Sequence, residues 1–365
     1  MLARHRRVFA LLAFFVLAAP LVVGLVAPDS PATVLKEGRS LAPAPRLPAS
    51  GAGWLAMPAA VDAYLKDHFG LRQTLITAHR ELTKPMLGFG NDSVLVGRDG
   101  RMFYLGENAV RQSAGLLVRD RAVVDTVDLL AATNRDLERR GIRFLVASPP
   151  NAATVYPDDL PDWARNAGKQ TEYDLFVEGL ESKGVKVVDL RPVMAAARSE
   201  GQIYYRHDSH WSPRGALAAF NAIVEAGGHP DWRIDQASAL APVSTRKGGD
   251  LARMLGVQDG VAEPAEELKL PIGDKQPLTA VPWEDYVESS GKPGPTIMII
   301  GDSFTALDFS PLLLPHVGRV VWIDHQHCRF DHKVIERFHP EEIWWMPNER
   351  FLICDPGAQP IGFTE

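Results

Sequence analysis

Cysteine is scarce in this chain: 365 residues contain only Cys328 and Cys354. Two cysteines cannot build a disulfide scaffold, so the fold must rest on an apolar core. Hydrophobic residues make up 46% of the sequence, enough to supply one. A strong excess of one charge is also missing. The formal net charge is −6, and no long basic run lies beyond the first residues, which leaves no electrostatic footprint for nucleic acid. No internal repeat occurs. No Gly-rich phosphate fingerprint occurs either, since Lys247-Gly-Gly249 lacks the strand–turn–helix setting that such a loop needs.

Long uncharged runs are absent too, except at the N-terminus. Arg4, Arg6 and Arg7 precede residues 8–27, twenty positions without a charge. That length suffices for a membrane-spanning helix, whereas the core of a signal peptide is usually about 7–15 residues. Residues 1–27 are therefore expected to be an uncleaved signal anchor, with a cleaved signal peptide as the alternative. The leading arginines place the rest of the chain outside the cytoplasm, which in a bacterium means an inner-membrane anchor and a periplasmic body. Residues 28–53, rich in Pro, Ala and Ser, read as a linker. Residues 54–88 read as a helical lead-in, with apolar positions at helical spacing from Val61 to Leu82.

From residue 89 to 365 the pattern is that of one α/β domain. Asp99-Gly100 sits between two short apolar runs at 94–104, a hairpin signal. Helical stretches at 120–139 and 169–183 precede strand-like runs at 142–147 and 185–190. A helix is expected over 213–226, with Ser212 as its cap and Pro213 in its first turn. Apolar runs at 296–300, 320–323 and 343–346 complete the series, and their tryptophans (Trp322, Trp344, Trp345) read as core. Short apolar strands alternating with helices predict a mostly parallel sheet covered on both faces.

Chemistry-bearing residues concentrate in two places. Tyr205-Arg-His-Asp-Ser-His-Trp-Ser-Pro-Arg-Gly215 delivers Asp208 and His210 on a loop to the mouth of a helix. Thr296-Ile-Met-Ile-Ile-Gly-Asp-Ser-Phe304 is a buried strand ending in Gly-Asp-Ser, and ligands of open α/β sheets bind beyond such carboxyl ends. A serine hydroxyl needs a base, and the base needs a carboxylate to hold its tautomer. Ser303, His210 and Asp208 supply the three parts. Each alone reads equally well as a helix cap or a structural loop residue. His207, on the opposite side of the extended segment, is expected only to meet substrate or solvent. The group His325, His327, Cys328 and His332 matches no standard zinc spacing, so no metal and no cofactor are expected. Cys328 and Cys354 are left either paired or free.

Gly-Asp-Ser after a strand, with Asp and His close together elsewhere, resembles the SGNH hydrolase superfamily. Here the Asp/His loop comes before the serine, and in that order the chain resembles the alginate O-acetyltransferase family typified by AlgX and AlgJ. Asp67-His-Phe-Gly-Leu-Arg-Gln-Thr-Leu75, Val96-Gly-Arg-Asp-Gly-Arg-Met-Phe-Tyr104, Pro149-Pro-Asn-Ala-Ala-Thr-Val-Tyr-Pro157 and Gly249-Asp-Leu251 agree with it. It departs at Asn151, where a basic residue is expected, and at Arg101, where a tryptophan is expected. The resemblance implies an SGNH hydrolase-like three-layer sandwich that transfers acetyl groups to hydroxyls of an exported polysaccharide. Ser303 would be nucleophile, His210 base then acid, and Asp208 the orienting carboxylate. The Ser303 N–H, with Asn151 as a candidate second donor, would form the oxyanion hole. It also implies a membrane-bound O-acyltransferase as acetyl supplier. The same triad serves a polysaccharide O-acetyl esterase, and a silent, membrane-tethered glycan-binding or scaffold protein is the reading from another class.

Overall fold

A computed structural model describes residues 43–48, 51–67 and 90–360, apart from 271–272, 279–284 and 307–308, plus isolated positions 14, 18, 19 and 23. The expected anchor at 8–27, most of the linker and the second half of the helical lead-in lie outside the described residues. Among the described residues no helix is long and apolar enough to cross a membrane. The chain divides into two units, Met1–Gly88 and Phe89–Glu365. In the first, a helix runs over Gly51–Asp67 with Pro58 inside it.

The second unit opens with the expected hairpin, β1 (Val94–Val96) against β2 (Met102–Tyr104). Its turn places Asp99 and Gly100 at φ 53° and 76°, the left-handed conformations that an Asp-Gly pair tolerates best. There follow α1 (Asp120–Arg139), β3 (Arg143–Val146), α2 (Glu172–Ser182), α3 (Leu190–Ala197) and α4 (Pro213–Gly227). Next come β4 (Ser244–Lys247), α5 (Asp250–Leu255), β5 (Ala262–Ala265), β6 (Asp274–Pro277), β7 (Tyr286–Ser289) and β8 (Thr296–Gly301). The series closes with α6 (Ser303–Ala306), β9 (Arg319–Asp324), α7 (Lys333–Phe338) and β10 (Glu342–Met346).

The main sheet has the order β3-β10-β8-β9-β7-β6. Its first four strands are parallel, while β7 runs antiparallel to β9 and β6 antiparallel to β7. The sheet is thus mixed: a parallel half with an antiparallel edge. Strand alternation divides its side chains between two cores. Ile297, Ile299, Val320, Trp322 and Trp344 point into one, with α3 and α4. Met298, Ile300, Val321, Ile323 and Trp345 point into the other, with α1 and α2. On α1 the buried Val123, Val127, Leu130 and Leu137 recur at helical spacing and form its inward stripe. Both faces of β8 are covered, which explains its uninterrupted apolar run.

The expected strand at 185–190 shrinks to a single parallel bridge, Val146 to Val187. Asp189 is the reason: its carboxylate accepts from Arg191 N–H and caps α3, so the chain leaves the extended state early. Ser212 caps α4 as expected, accepting from Gly215 N–H at 3.3 Å with Pro213 behind it. Cys328 and Cys354 form a disulfide, which removes Cys328 from any thiolate role.

Candidate active site

Gly301 ends β8 so close to the next turn that an added Cβ would lie 2.1 Å from Thr305 Oγ1. Ser303 can therefore follow at once as the first residue of α6, above the carboxyl end of a central strand. Asp302 fixes this turn. Its buried carboxylate accepts from Phe304 N–H at 2.9 Å and from Asn348 N–H, beyond β10, at 2.8 Å. Burial raises the Asp302 pKa despite these bonds and the charge of Arg350.

The Asp208/His210 loop is closed at its base by the bridge Tyr204–Trp211. Trp211 docks it on the serine helix through Nε1–H to the Phe304 carbonyl, 3.0 Å. Arg101 holds the incoming strand. Its guanidinium bonds the Tyr204 and Tyr205 carbonyls and Asp159, and it lies 3.6 Å over the Tyr156 ring. Arg101, at the position where the resemblance led to an expected tryptophan, is thus a buried cation with its own set of partners.

The three sequence-predicted groups meet in one line. Asp208 Oδ1 lies 2.7 Å from His210 Nδ1, and His210 Nε2 lies 2.8 Å from Ser303 Oγ. The second oxygen of Asp208 is held by Arg246 at 2.7 Å and by Asp250 N–H at 3.1 Å. Burial works to raise the Asp208 pKa, but His210 and Arg246 overcome it and hold the carboxyl far below its usual range. For His210, burial alone would lower the pKa. The hydrogen bond and charge of Asp208, with Asp250 adding to them, outweigh it and raise the pKa above the usual value. The geometry suits a base that takes the Ser303 proton while a fixed carboxylate stabilises the imidazolium.

Two supporting residues were not assigned roles from sequence. Asp250 accepts from Ser209 N–H and Oγ–H and stands 3.7 Å from His210 Nδ1. Arg246 clamps Asp208 and lies 4.1 Å over the Tyr205 ring. The signal was there in Gly249-Asp-Leu251: a Cβ on Gly249 would sit 2.1 Å from the His207 carbonyl, so only glycine lets Asp250 approach. Asp208, His210 and Asp250 can bring one ligand atom each within 4.8 Å of one another. However, the Arg246 cation already occupies Asp208 and would repel a metal ion, so the cluster reads as a set of carboxylates that holds and supports His210.

Two other expectations change. His207 is neither exposed nor aimed at a substrate space; its ring faces Glu263 across 3.4 Å, and burial lowers its pKa. Asn151, expected as a second oxyanion donor, has no donor left. Its N–H goes to Glu349 at 2.7 Å, and its side-chain amide to the Ala109 carbonyl and Ser113 Oγ, both at 3.3 Å. Glu349 organises that corner: it is fully buried, also accepts from Thr154 Oγ1, and burial pushes its pKa up to about 7.

A serine opening a helix beyond a parallel strand, reached by an Asp-His loop on a two-faced sheet, is the architecture of an SGNH hydrolase-like fold. Residues 94–327 match the family described as the SGNH hydrolase-like domain of the acetyltransferase AlgX, and the chain belongs to that family. It is 24% identical over 203 residues to the probable alginate O-acetylase AlgJ of Pseudomonas syringae pv. tomato, covering 54% of this chain and 50% of that protein. The chain thus spans about half the length of the curated relatives it matches. Among solved structures, a DHHW family protein from Eubacterium siraeum superposes with a TM-score of 0.53 at 15% identity, covering 73% of this chain and 93% of the other. PatB1 of Bacillus cereus gives 0.52 at 13% identity, covering 73% and 98%. At such identities the likeness is one of fold.

Proposed function

We propose that this protein is an O-acetyltransferase that moves acetyl groups onto hydroxyls of an exported polysaccharide, through an acyl-Ser303 intermediate. The observation that carries this reading is the unbroken relay from Asp208 through His210 to Ser303, at 2.7 and 2.8 Å. His210 takes the Ser303 proton during acylation and returns it to the leaving group; Asp208 holds the tautomer. The relay alone serves hydrolysis as well as transfer. Membership of a family described as acetyltransferase, and relatives named alginate O-acetylase, favour a sugar hydroxyl over water as acceptor. The arginines before residues 8–27 support a single inner-membrane anchor with a periplasmic body. A membrane-bound O-acyltransferase would then bring acetyl across. C-terminal alkaline phosphatase fused to the chain should be active; an inactive fusion would sink that location.

The central test is intact mass. Full-length protein given an acetyl ester without acceptor should gain one acetyl group, lost on adding glycan and absent in Ser303→Ala. An adduct that persists in Ser303→Ala would rule out the assignment.

A further inference from the structure

The relay leaves one requirement unmet. When Ser303 Oγ bonds to the acyl carbon, the carbonyl electron pair moves onto oxygen, and donors already aimed there set the rate. As the first residue of α6, Ser303 offers an N–H that the helix itself does not use. Phe304 N–H is committed to Asp302, and every Asn151 donor is engaged.

Arg350 packs against the residue that follows Ser303. Its guanidinium carbon lies 5.3 Å from the Phe304 ring centre, 5.1 Å from that of Tyr104 and 5.2 Å from that of Phe351, a fit of cation to aromatic walls. Phe304 directly follows Ser303, and its ring is also 5.1 Å from the His210 ring. One side chain thus touches both imidazole and guanidinium. Arg350 lines a small hollow together with Ser209, Tyr104, Asn151 and Leu251. Among the described residues no carboxylate pairs with Arg350, and its Nε is buried without a hydrogen-bond partner. A cationic donor with no ion-pair partner among the described residues, packed on the ring of the residue that follows the nucleophile, is what a transient anion requires.

We propose that Arg350 is a catalytic donor whose guanidinium takes up the negative charge on the acyl oxygen in both half-reactions. This rests on the reading of Ser303 as nucleophile. In acylation the Ser303 proton passes to His210 Nε2 as the Oγ–C bond forms, and the C=O pair withdraws to an oxygen facing Arg350 and Ser303 N–H. The pair then re-forms C=O and expels the donor's leaving oxygen, which takes the proton from His210. In transfer the acceptor hydroxyl gives its proton to His210 and attacks the acyl-serine carbon. The same oxyanion forms, and its collapse breaks the Oγ–C bond, with Ser303 Oγ taking the proton back from His210.

Single-turnover kinetics of the full-length chain with p-nitrophenyl acetate read the two steps separately. Arg350→Gln should slow acylation and deacylation alike by about 10²–10³-fold, with KM for the ester and Tm near wild type. Arg350→Lys should retain part of the rate, and added guanidinium chloride should restore part of it to Arg350→Ala. If Arg350→Gln acylates at the wild-type rate and loses only transfer to glycan, Arg350 recognises the acceptor and the proposal fails. Unchanged rates overturn it as well. If Arg350→Gln does not fold, the Arg350→Lys rates decide: parallel losses support the role, and wild-type acylation refutes it. An absent wild-type burst would overturn the Ser303 reading and this one together, whereas a wild-type burst indifferent to Arg350→Gln overturns this one alone.

Discussion

The two ends of the parallel sheet each carry a histidine hydrogen-bonded to a buried carboxylate. At the carboxyl end His210 meets Asp208 at 2.7 Å; at the amino end His229 meets Glu342, the first residue of β10, at 2.6 Å. The pairs look alike, but their surroundings differ. His210 Nε2 is presented to a serine hydroxyl, whereas no hydroxyl is bonded to the other nitrogen of His229 among the described residues. His229 instead stacks on Trp232 at 3.8 Å, and Glu342 is taken up by Arg143 and by Trp344 Nε1–H. A histidine–carboxylate pair is thus no site by itself. The third partner, and the end of the strand where it sits, decide between chemistry and structure.

Substituting the two histidines breaks the comparison most sharply. His210→Ala should lower acetyl-ester turnover by about 10³-fold or more with little loss of stability. His229→Ala should leave turnover within a few-fold of wild type and cost about 1–3 kcal/mol in urea unfolding, through lost stacking and a weakened buried carboxylate. Equal losses of turnover in both variants would refute the distinction.

A smaller effect separates the buried glutamates of the two ends. Glu342 faces the Arg143 cation, while Glu349 is held by the neutral donors Asn151 N–H and Thr154 Oγ1–H. Burial, which those bonds only partly offset, pushes its pKa up to about 7 from an ordinary 4.5. Between those values the folded chain holds a proton that the unfolded chain has released. The associated stability is complete below pH 4.5 and is lost as pH rises through about 7. Glu349→Gln cannot titrate. Relative to wild type its unfolding free energy should gain about 3 kcal/mol between pH 4.5 and 8, measured by urea denaturation. Parallel wild-type and variant curves would exclude the raised pKa.

How much of this the sequence disclosed depended on how local the signal was. The boundaries of α1 and α4 were legible because their apolar spacing and the Ser212 cap are local. The strands β8, β9 and β10 were legible because both of their faces are buried. By contrast, β6 reads Asp274-Lys-Gln-Pro277 with all four residues exposed, so no hydrophobic pattern marked it, and the antiparallel edge went unread. Asp208, His210 and Ser303 could be named because each sits in a compact motif. Arg246, Glu349 and Arg350 act across separations that one-dimensional spacing does not encode: Arg246 to Asp208 spans 38 positions and Glu349 to Asn151 spans 198. The engagement of the Asn151 donors is hidden from the sequence for the same reason, since their partners lie far away along the chain.

The Cys328–Cys354 bridge closes a loop of 26 positions, a constraint worth about 3–4 kcal/mol against the unfolded chain. That increment depends on the redox state of the surroundings. In reducing surroundings the link is absent and the fold sits closer to its unfolding threshold; in oxidising ones it is present. The bridge therefore makes resistance to unravelling a function of redox poise as well as of packing.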